Sequence, residues 1–300
     1  MGKSVMLQVV VDEYIKFLTS GKVEQDGGRR NTVVAYRNDL EQLSTFLQAR
    51  EVESWSQVTC EHMAAYMTEM HDIQAYRPTT IARKLAALKS FFRYMHQSGI
   101  ITADPAEHFN PPPIERDLPH VLHHDQVERI FAQVEHDTPA GLRDFAMLHL
   151  LYSTGIRTSE MVSLNVEHFD SDRGVVICAG KQRGGQRERI LPLSFESFEV
   201  MLLYLEQSRP RFVRYTGEQA LFLNHHGERL TRQGFWLIIK GYARRSGITE
   251  LTPHMLRNSF ALMMLQDGME LSSVQELLGH AHISTTLQYS HLARAQKNRQ

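Results

Sequence analysis

Prolines at 105, 111, 112, 113 and 119 bar regular helix and central strand from one stretch, because each fixes φ and removes a backbone donor. The chain must break there. A semi-extended linker over 110–118 therefore separates a segment at 1–109 from a segment at 119–300. Three hundred residues leave room for two domains, and a hydrophobic content of 42% is ordinary for globular cores.

The first segment reads as helix alone. Apolar residues recur at three- and four-residue spacing over Val10–Leu18, Asn31–Leu47, His62–His71 and Pro78–Gln97. In the last of these Leu85, Leu88, Phe92 and Met95 make one stripe, with Lys84 at its border and Arg83, Lys89 and Arg93 away from it. Taken alone, this is a four-helix bundle with a solvated charged face.

In the second segment helices are expected at Asp125–Val134 and Gly141–Ser153, the latter ending at Thr154-Gly155-Ile156-Arg157 with Thr158 or Ser159 as the next N-cap. Glu160 can reach back to orient the Arg157 guanidinium. From Val166 the period shortens. Gly174–Cys178 and Glu188–Leu193 are strand-like, joined by a hairpin loop over Lys181–Arg187, and Pro192–Arg209 returns to a helical pattern. Phe235–Arg245 is a further helix carrying Lys240, Arg244 and Arg245, a candidate DNA-facing element. The adjacent His225 and His226 have no zinc-like partners and read as a surface turn.

The densest stretch runs from Leu251 to Tyr289. Thr252 is an N-cap candidate with Pro253 at the first helical position, which puts His254 and Arg257 on one face near a helix N-terminus. That helix should stop near Gly268. Ser273-Val-Gln-Glu276 reads as a capping box for a short helix ended by Gly279, with His280 at the reversal, and Ser284-Thr-Thr opens a third helix that carries Tyr289. Singly these are a solvated His, a surface Arg and a core Tyr. Together they offer a guanidinium fork for phosphate, imidazoles for hydrogen bonds or protons, and a phenol nucleophile. Attack on a phosphodiester fits that set.

His254-Met-Leu-Arg257, Leu278-Gly-His280 and Tyr289, with Thr154-Gly-Ile-Arg157-x-x-Glu160 upstream, resemble the signature of the tyrosine site-specific recombinases, closest to the Xer and phage-type integrases. The resemblance implies a mainly α fold with a small antiparallel β-sheet, arranged as a two-domain clamp of an N-terminal helical core-binding domain and an α+β catalytic domain. It also implies that Tyr289 attacks the scissile phosphate and holds the 3′ end, with its phenol aligned beside the guanidiniums. Arg157 and Arg257 would neutralise the non-bridging oxygens, His280 would donate to the phosphate, and His254 would carry a proton. Lys181 is the sole lysine between Lys89 and Lys240, so it alone can match the family's hairpin lysine, the general acid for the leaving 5′ oxygen. No cofactor and no metal are required. The implied partner is double-stranded DNA with an inverted-repeat recombination site, bound by a homo- or hetero-tetramer that includes a paired recombinase in the hetero case. Leu292 and Ala293 would anchor the tail on a neighbouring protomer. The task would be dimer resolution or mobile-element integration. One departure stands out: Asn258 occupies a position where family members often carry His.

Composition bounds these implications. Net charge is −1, which opposes a uniform polyanion binder. The basic residues are local instead. Arg77, Arg83, Lys84, Lys89 and Arg93 lie in an acid-free stretch between Ile73 and Ala103, and Arg183, Arg187 and Arg189 lie on or beside the hairpin, where they either contact phosphates or solvate the loop. Cys60 and Cys178 are the only cysteines, unpaired in spacing, and no secretory leader or apolar span is evident; a cytoplasmic protein without membrane attachment is expected. Two rival readings are a DNA-binding protein that kept the fold and lost the chemistry, and a metal nuclease using His280, His282 and His291. The second lacks carboxylates at useful spacing.

Overall fold

The prolines act as their backbone chemistry requires: residues 109–114 and 118–123 form neither helix nor strand. On either side the computed structural model divides into two compact units, Met1–Arg116 and Asp117–Gln300, and it describes residues 2–20, 27–114, 118–182 and 185–297.

The first unit is helical. Its helices are α1 (Gly2–Ser20), α2 (Gly27–Gln48), α3 (Cys60–Thr68), which continues through a π-helical turn at Glu69–Ile73, and α4 (Pro78–Gln97). Thr59 caps α3 and Pro78 opens α4, where a missing amide costs nothing. The stripe of Leu85, Leu88, Phe92 and Met95 is buried, and Leu88, Phe92 and Met95 pack with Phe91, Leu43, Leu47 and Trp55. Trp55 satisfies its indole by donating from Nε1 to the Leu7 carbonyl at 3.0 Å.

One assignment is corrected here. Lys84, read as DNA-facing, is buried at 3 % exposure, and its ammonium donates to Asp39 Oδ1 at 2.9 Å and to Gln42 Oε1. Asp39 is equally buried and also accepts from Arg83, whose side chain stays at the surface. A buried carboxylate requires such a partner, and Lys84 is on the side of α4 that faces α2. Arg77 and Arg93 are exposed, while Lys89 is half-buried and donates to the Glu107 carbonyl.

The second unit opens with α5 (His124–Phe131), α6 (Pro139–Thr154) and α7 (Thr158–Ser163). A three-stranded antiparallel sheet follows: β1 (Phe169–Asp170), β2 (Val175–Gln182) and β3 (Gly185–Pro192), in that order. The hairpin differs from expectation. Pairing extends from Val175–Pro192 to Gln182–Gly185, so Lys181 and Arg187 are strand residues rather than loop residues. Ladder hydrogen bonds occupy backbone that a loop would leave open. Arg183 lies outside the described residues, as do the side chains of Lys181 and Arg187.

Beyond the sheet come α8 (Phe195–Leu203), a π-helical turn at Tyr204–Ser208, α9 (Arg209–Phe212) and α10 (Arg232–Ser246). The single helix expected at 192–209 is thus interrupted, just ahead of Pro210, which has no amide to continue the ladder. Then come α11 (Pro253–Gln266), α12 (Leu271–Leu278) and α13 (Ile283–Lys297). α12 begins at Leu271 after Glu270, not at Ser273. The main core runs from α6 through Met147, Leu148 and Leu151 to Val176 and Leu191 of the sheet and Phe235 and Ile239 of α10. Among the described residues no helix is long and apolar enough to cross a membrane.

Removing the carboxylate beneath Lys84 leaves an unpaired buried charge, so Asp39→Ala should cost the helical unit about 3–5 kcal/mol. Urea unfolding followed by Trp55 fluorescence in a Trp236→Phe background measures this. A loss under about 1 kcal/mol would mean that the pair is solvated.

Candidate active site

Three helix ends build the site. Thr138 accepts from Gly141 N to start α6, and Gly155 stops it in the left-handed conformation, φ 60°. A Cβ at Gly155 would come within 2.4 Å of the Phe260 ring. Gly279 ends α12 in the same way, φ 62°. Thr252 caps α11 through Met255 N at 3.3 Å, with Pro253 at its first turn, as the sequence indicates.

Onto these ends converge three guanidiniums. Arg157 is the N-cap residue of α7; Glu160 accepts from its backbone amide at 2.9 Å and from Nη1 at 2.8 Å. Arg157 also donates to the Gly279 carbonyl. Arg257, 4 % exposed, donates to the Gly155 carbonyl and, at 2.6 Å, to Leu278 O. Arg189 donates from Nη1 to Leu278 O at 3.1 Å and from Nη2 to Glu160 Oε2 at 2.8 Å. Glu160 is held below the ordinary carboxylate range by Arg189 and Arg157, although burial pulls the other way and is the largest single influence. Burial, then Arg157 and Arg189, push Arg257 down to about 9, which leaves it charged at neutral pH. Gly279 makes the convergence possible, since a Cβ there would meet Arg189 Nη1 at 2.1 Å and Arg157 Nη1 at 3.0 Å.

Arg189 is one of three arginines, with Arg183 and Arg187, that sequence reasoning left undecided. It is buried at 8 % exposure rather than solvated or presented to phosphate. Strand alternation carried the signal: Arg189 shares a face with Leu191, which is fully buried, while the intervening Ile190 is exposed.

Two imidazoles flank the cluster. His254 is exposed on the first turn of α11, and partial desolvation by its surroundings, then the Arg257 charge, lower its pKa. His280 pairs through Nδ1 with the buried Thr286 hydroxyl at 3.0 Å. Burial, then the charges of Arg257 and Arg157, push His280 down to about 4, so its ring is neutral and Nε2 is left for another partner.

Tyr289 departs from its expected position. The ring is 3 % exposed and packs with Phe260, Ala261, Val274 and Leu278. The phenol does not point into open space between the guanidiniums; it donates to Asn258 Oδ1 at 2.8 Å. Burial raises its pKa and the Arg257 charge opposes that rise. The His280 and Tyr289 rings lie nearly parallel, with centroids 6.3 Å apart. Tyr289 therefore borders the site in a protonated, covered position, because its ring gains more from the apolar cluster than an exposed one would. Arg157, Arg257, His280 and Glu160 are brought together. The Lys181 side chain lies outside the described set, although its strand leads into Arg189 through the β2–β3 pairing.

On α10, Arg244 and Arg245 are exposed, and Lys240 lies 5.3 Å over the Trp236 ring. Among the described residues no group of three or more His, Cys, Asp or Glu could hold a metal ion, so His280, His282 and His291 form no such cluster.

Comparison with known proteins matches this architecture. Residues 120–296 match the phage integrase family, and residues 11–99 match the N-terminal SAM-like domain of phage integrases. Tyrosine recombinase XerC of Roseiflexus castenholzii is 46% identical over 265 residues, covering 87% of this chain and 83% of the relative. Tyrosine recombinase XerD of Listeria innocua is 39% identical over 289 residues, covering 95% and 94%. Among solved structures, XerH site-specific recombinase bound to palindromic difH substrate in a post-cleavage complex aligns with a TM-score of 0.71 at 19% identity, over 98% of this chain and 94% of that one. A lambda integrase dimer bound to a COC′ core site aligns with a TM-score of 0.70 at 17% identity, over 94% of both chains. At such identities the solved structures speak for the fold, while the sequence matches carry the kinship. The chain belongs to the phage integrase family and is a site-specific tyrosine recombinase, an enzyme class that cleaves and rejoins DNA.

Proposed function

We propose that Arg157, Arg257 and His280 bind the scissile phosphate of a duplex recombination site and that Tyr289 attacks it. The observation that carries this reading is the convergence of Arg157, Arg189 and Arg257 on the carbonyls of Gly155, Leu278 and Gly279, with Glu160 the carboxylate paired to two of them. Positive charge exceeds negative there, and a phosphodiester supplies the missing anion. Arg157 and Arg257 neutralise charge on the non-bridging oxygens. His280, neutral and tied at Nδ1, donates from Nε2.

In the chemical step the phenolic oxygen of Tyr289 forms a bond to phosphorus while the bond from phosphorus to the 5′ oxygen breaks. The phenol's proton passes to neutral His254, and Lys181 supplies a proton to the leaving oxygen. The 3′ end remains as a phosphotyrosine, which stores the bond energy for rejoining without cofactor or metal. Arg189 orients Glu160, and Glu160 orients Arg157.

The domain boundaries of this reading are a core-binding domain at 1–109, a linker at 110–118 and a catalytic domain at 119–300, closing as a clamp around the duplex. Arg77, Arg83, Lys89 and Arg93 on the first, with Arg183, Arg187, Lys240, Arg244 and Arg245 on the second, supply backbone contacts. The assembly is a tetramer on an inverted-repeat site in the cytoplasm, homomeric or with a paired recombinase. The task is dimer resolution or mobile-element integration and excision.

A duplex nicked beside the cleavage site traps the intermediate. In EDTA the wild-type chain should become covalently linked to the 3′ end, whereas Tyr289→Phe should bind the same DNA and link to nothing; linkage by that variant, or none by wild type, refutes the assignment of the nucleophile. Arg257→Ala should slow the linkage at least about 100-fold, the scale of a lost transition-state donor.

The depressed imidazoles fix a pH dependence. An unfolded His takes up its proton near 6.5, while folded His280 does so only near 4 and folded His254 also below 6.5. Between those values the unfolded chain binds more protons, so stability should fall as pH drops from about 6.5 towards about 4. Thermal midpoints of the DNA-free chain measure this, and His280→Gln should flatten the slope.

A further inference from the structure

Tyr289 cannot react where it lies, because a phosphorus atom has no approach to a phenol covered by Phe260, Val274 and Leu278. What holds the phenol is a single amide. The Asn258 side chain is 2 % exposed and makes two hydrogen bonds: Oδ1 accepts from the Tyr289 hydroxyl at 2.8 Å, and Nδ2 donates to the His120 carbonyl at 2.9 Å. The chemistry fixes the orientation of that amide. A backbone carbonyl only accepts, so it must face the NH₂ group, which leaves Oδ1 for the phenol and makes the phenol the donor.

The next residue on α11 doubles the tie. Ser259 Oγ accepts from Leu122 N at 2.7 Å and donates to Met255 O at 2.8 Å. Residues 120–122, which follow Pro119, are thus pinned to α11 by two consecutive side chains, and one of those side chains also grips the phenol of Tyr289. The segment has no helix or strand ladder of its own, so these bonds position it together with the buried Leu122 side chain.

We propose that Asn258 is a positioning residue for the recombination reaction: its amide stores the Tyr289 phenol in a covered position and links its release to movement of the backbone at 120–122. A strain that draws His120 away from α11 rotates the amide and costs the phenol its acceptor. The stored position then loses its advantage, and the fraction of molecules with Tyr289 free to reach phosphorus rises. A leucine would fill the space without the tie, and an alanine would leave it empty. Only a side chain with one donor and one acceptor at this spacing can bridge the two partners. The proposal rests on Tyr289 being the nucleophile.

The test compares two variants at saturating nicked duplex. Asn258→Ala removes the acceptor and should raise the rate constant for covalent linkage roughly 2–12-fold, the equivalent of one net hydrogen bond. Asn258→Asp keeps an acceptor, now charged, and grips the phenol more firmly, so linkage should slow several-fold. DNA affinity should be unchanged in both. A residue needed only for folding would slow both, and the same direction of change in the two variants, or no change, overturns the proposal. If Asn258→Ala proves unfolded by circular dichroism, Asn258→Leu, which also lacks the tie, takes its place: faster linkage supports the role, equal or slower linkage overturns it. A readout without DNA separates this from failure of the recombinase reading. Nitration of Tyr289 by tetranitromethane, located by mass spectrometry, should be faster in Asn258→Ala than in wild type, and equal protection counts against the tie whether or not any linkage is seen.

Discussion

The catalytic unit depends on holding like charges together. Arg157, Arg189 and Arg257 meet within one set of contacts, and what stabilises them is mostly not carboxylate but carbonyl: Gly155 O at the end of α6, with Leu278 O and Gly279 O at the end of α12. The last carbonyls of a helix lack intrahelical partners and carry the negative end of its dipole. Two such ends facing one place make a site that accepts guanidiniums without cancelling their charge. Glu160 then fixes two of the three in orientation. The guanidinium cluster is thus a property of where two helices stop, and glycine at 155 and 279 allows both the left-handed turn and the close approach.

The same arrangement explains the states of the other groups. Burial first, and the neighbouring guanidinium charge second, lower the pKa values of His254 and His280 and favour their neutral forms. The guanidinium charge also works on Tyr289: Arg257 favours the phenolate while burial disfavours it more. The covered phenol is safe from reaction, and exposure beside a guanidinium would move its pKa in the direction a nucleophile needs.

Helix ends were the legible part of the sequence. Thr252-Pro253, Thr154-Gly155 and Leu278-Gly279 each announce a boundary through local chemistry, and the residues hung on them, Arg157, Arg257 and His280, meet as the motifs suggest. What escaped is long-range. Lys84 looked like a border charge because its partner Asp39 lies on another helix. Arg189 was undecided because its partners, Glu160 and Leu278, are set by strand pairing and by α12, and alternation with Leu191 was the one local clue. The covering of Tyr289 depends on Asn258 and on an apolar cluster shared by three helices, which no window around residue 289 contains. Hairpin length failed for a related reason: the Gly184-Gly185 turn signal between Lys181 and Arg187 suggested a longer loop, whereas backbone pairing closed the ladder to Gln182 and Gly185.

If unneutralised guanidinium charge is the source of catalysis, removing charge from the substrate should replace a lost arginine. The direct measurement is covalent linkage to a nicked duplex whose scissile phosphate is replaced by a neutral methylphosphonate. Arg257→Ala, crippled on the ordinary phosphate, should regain most of its linkage rate on the methylphosphonate, with Tyr289 still required. Equal impairment on both substrates would contradict the account, since the arginine would then be serving the fold or the geometry of the site rather than the charge on phosphorus.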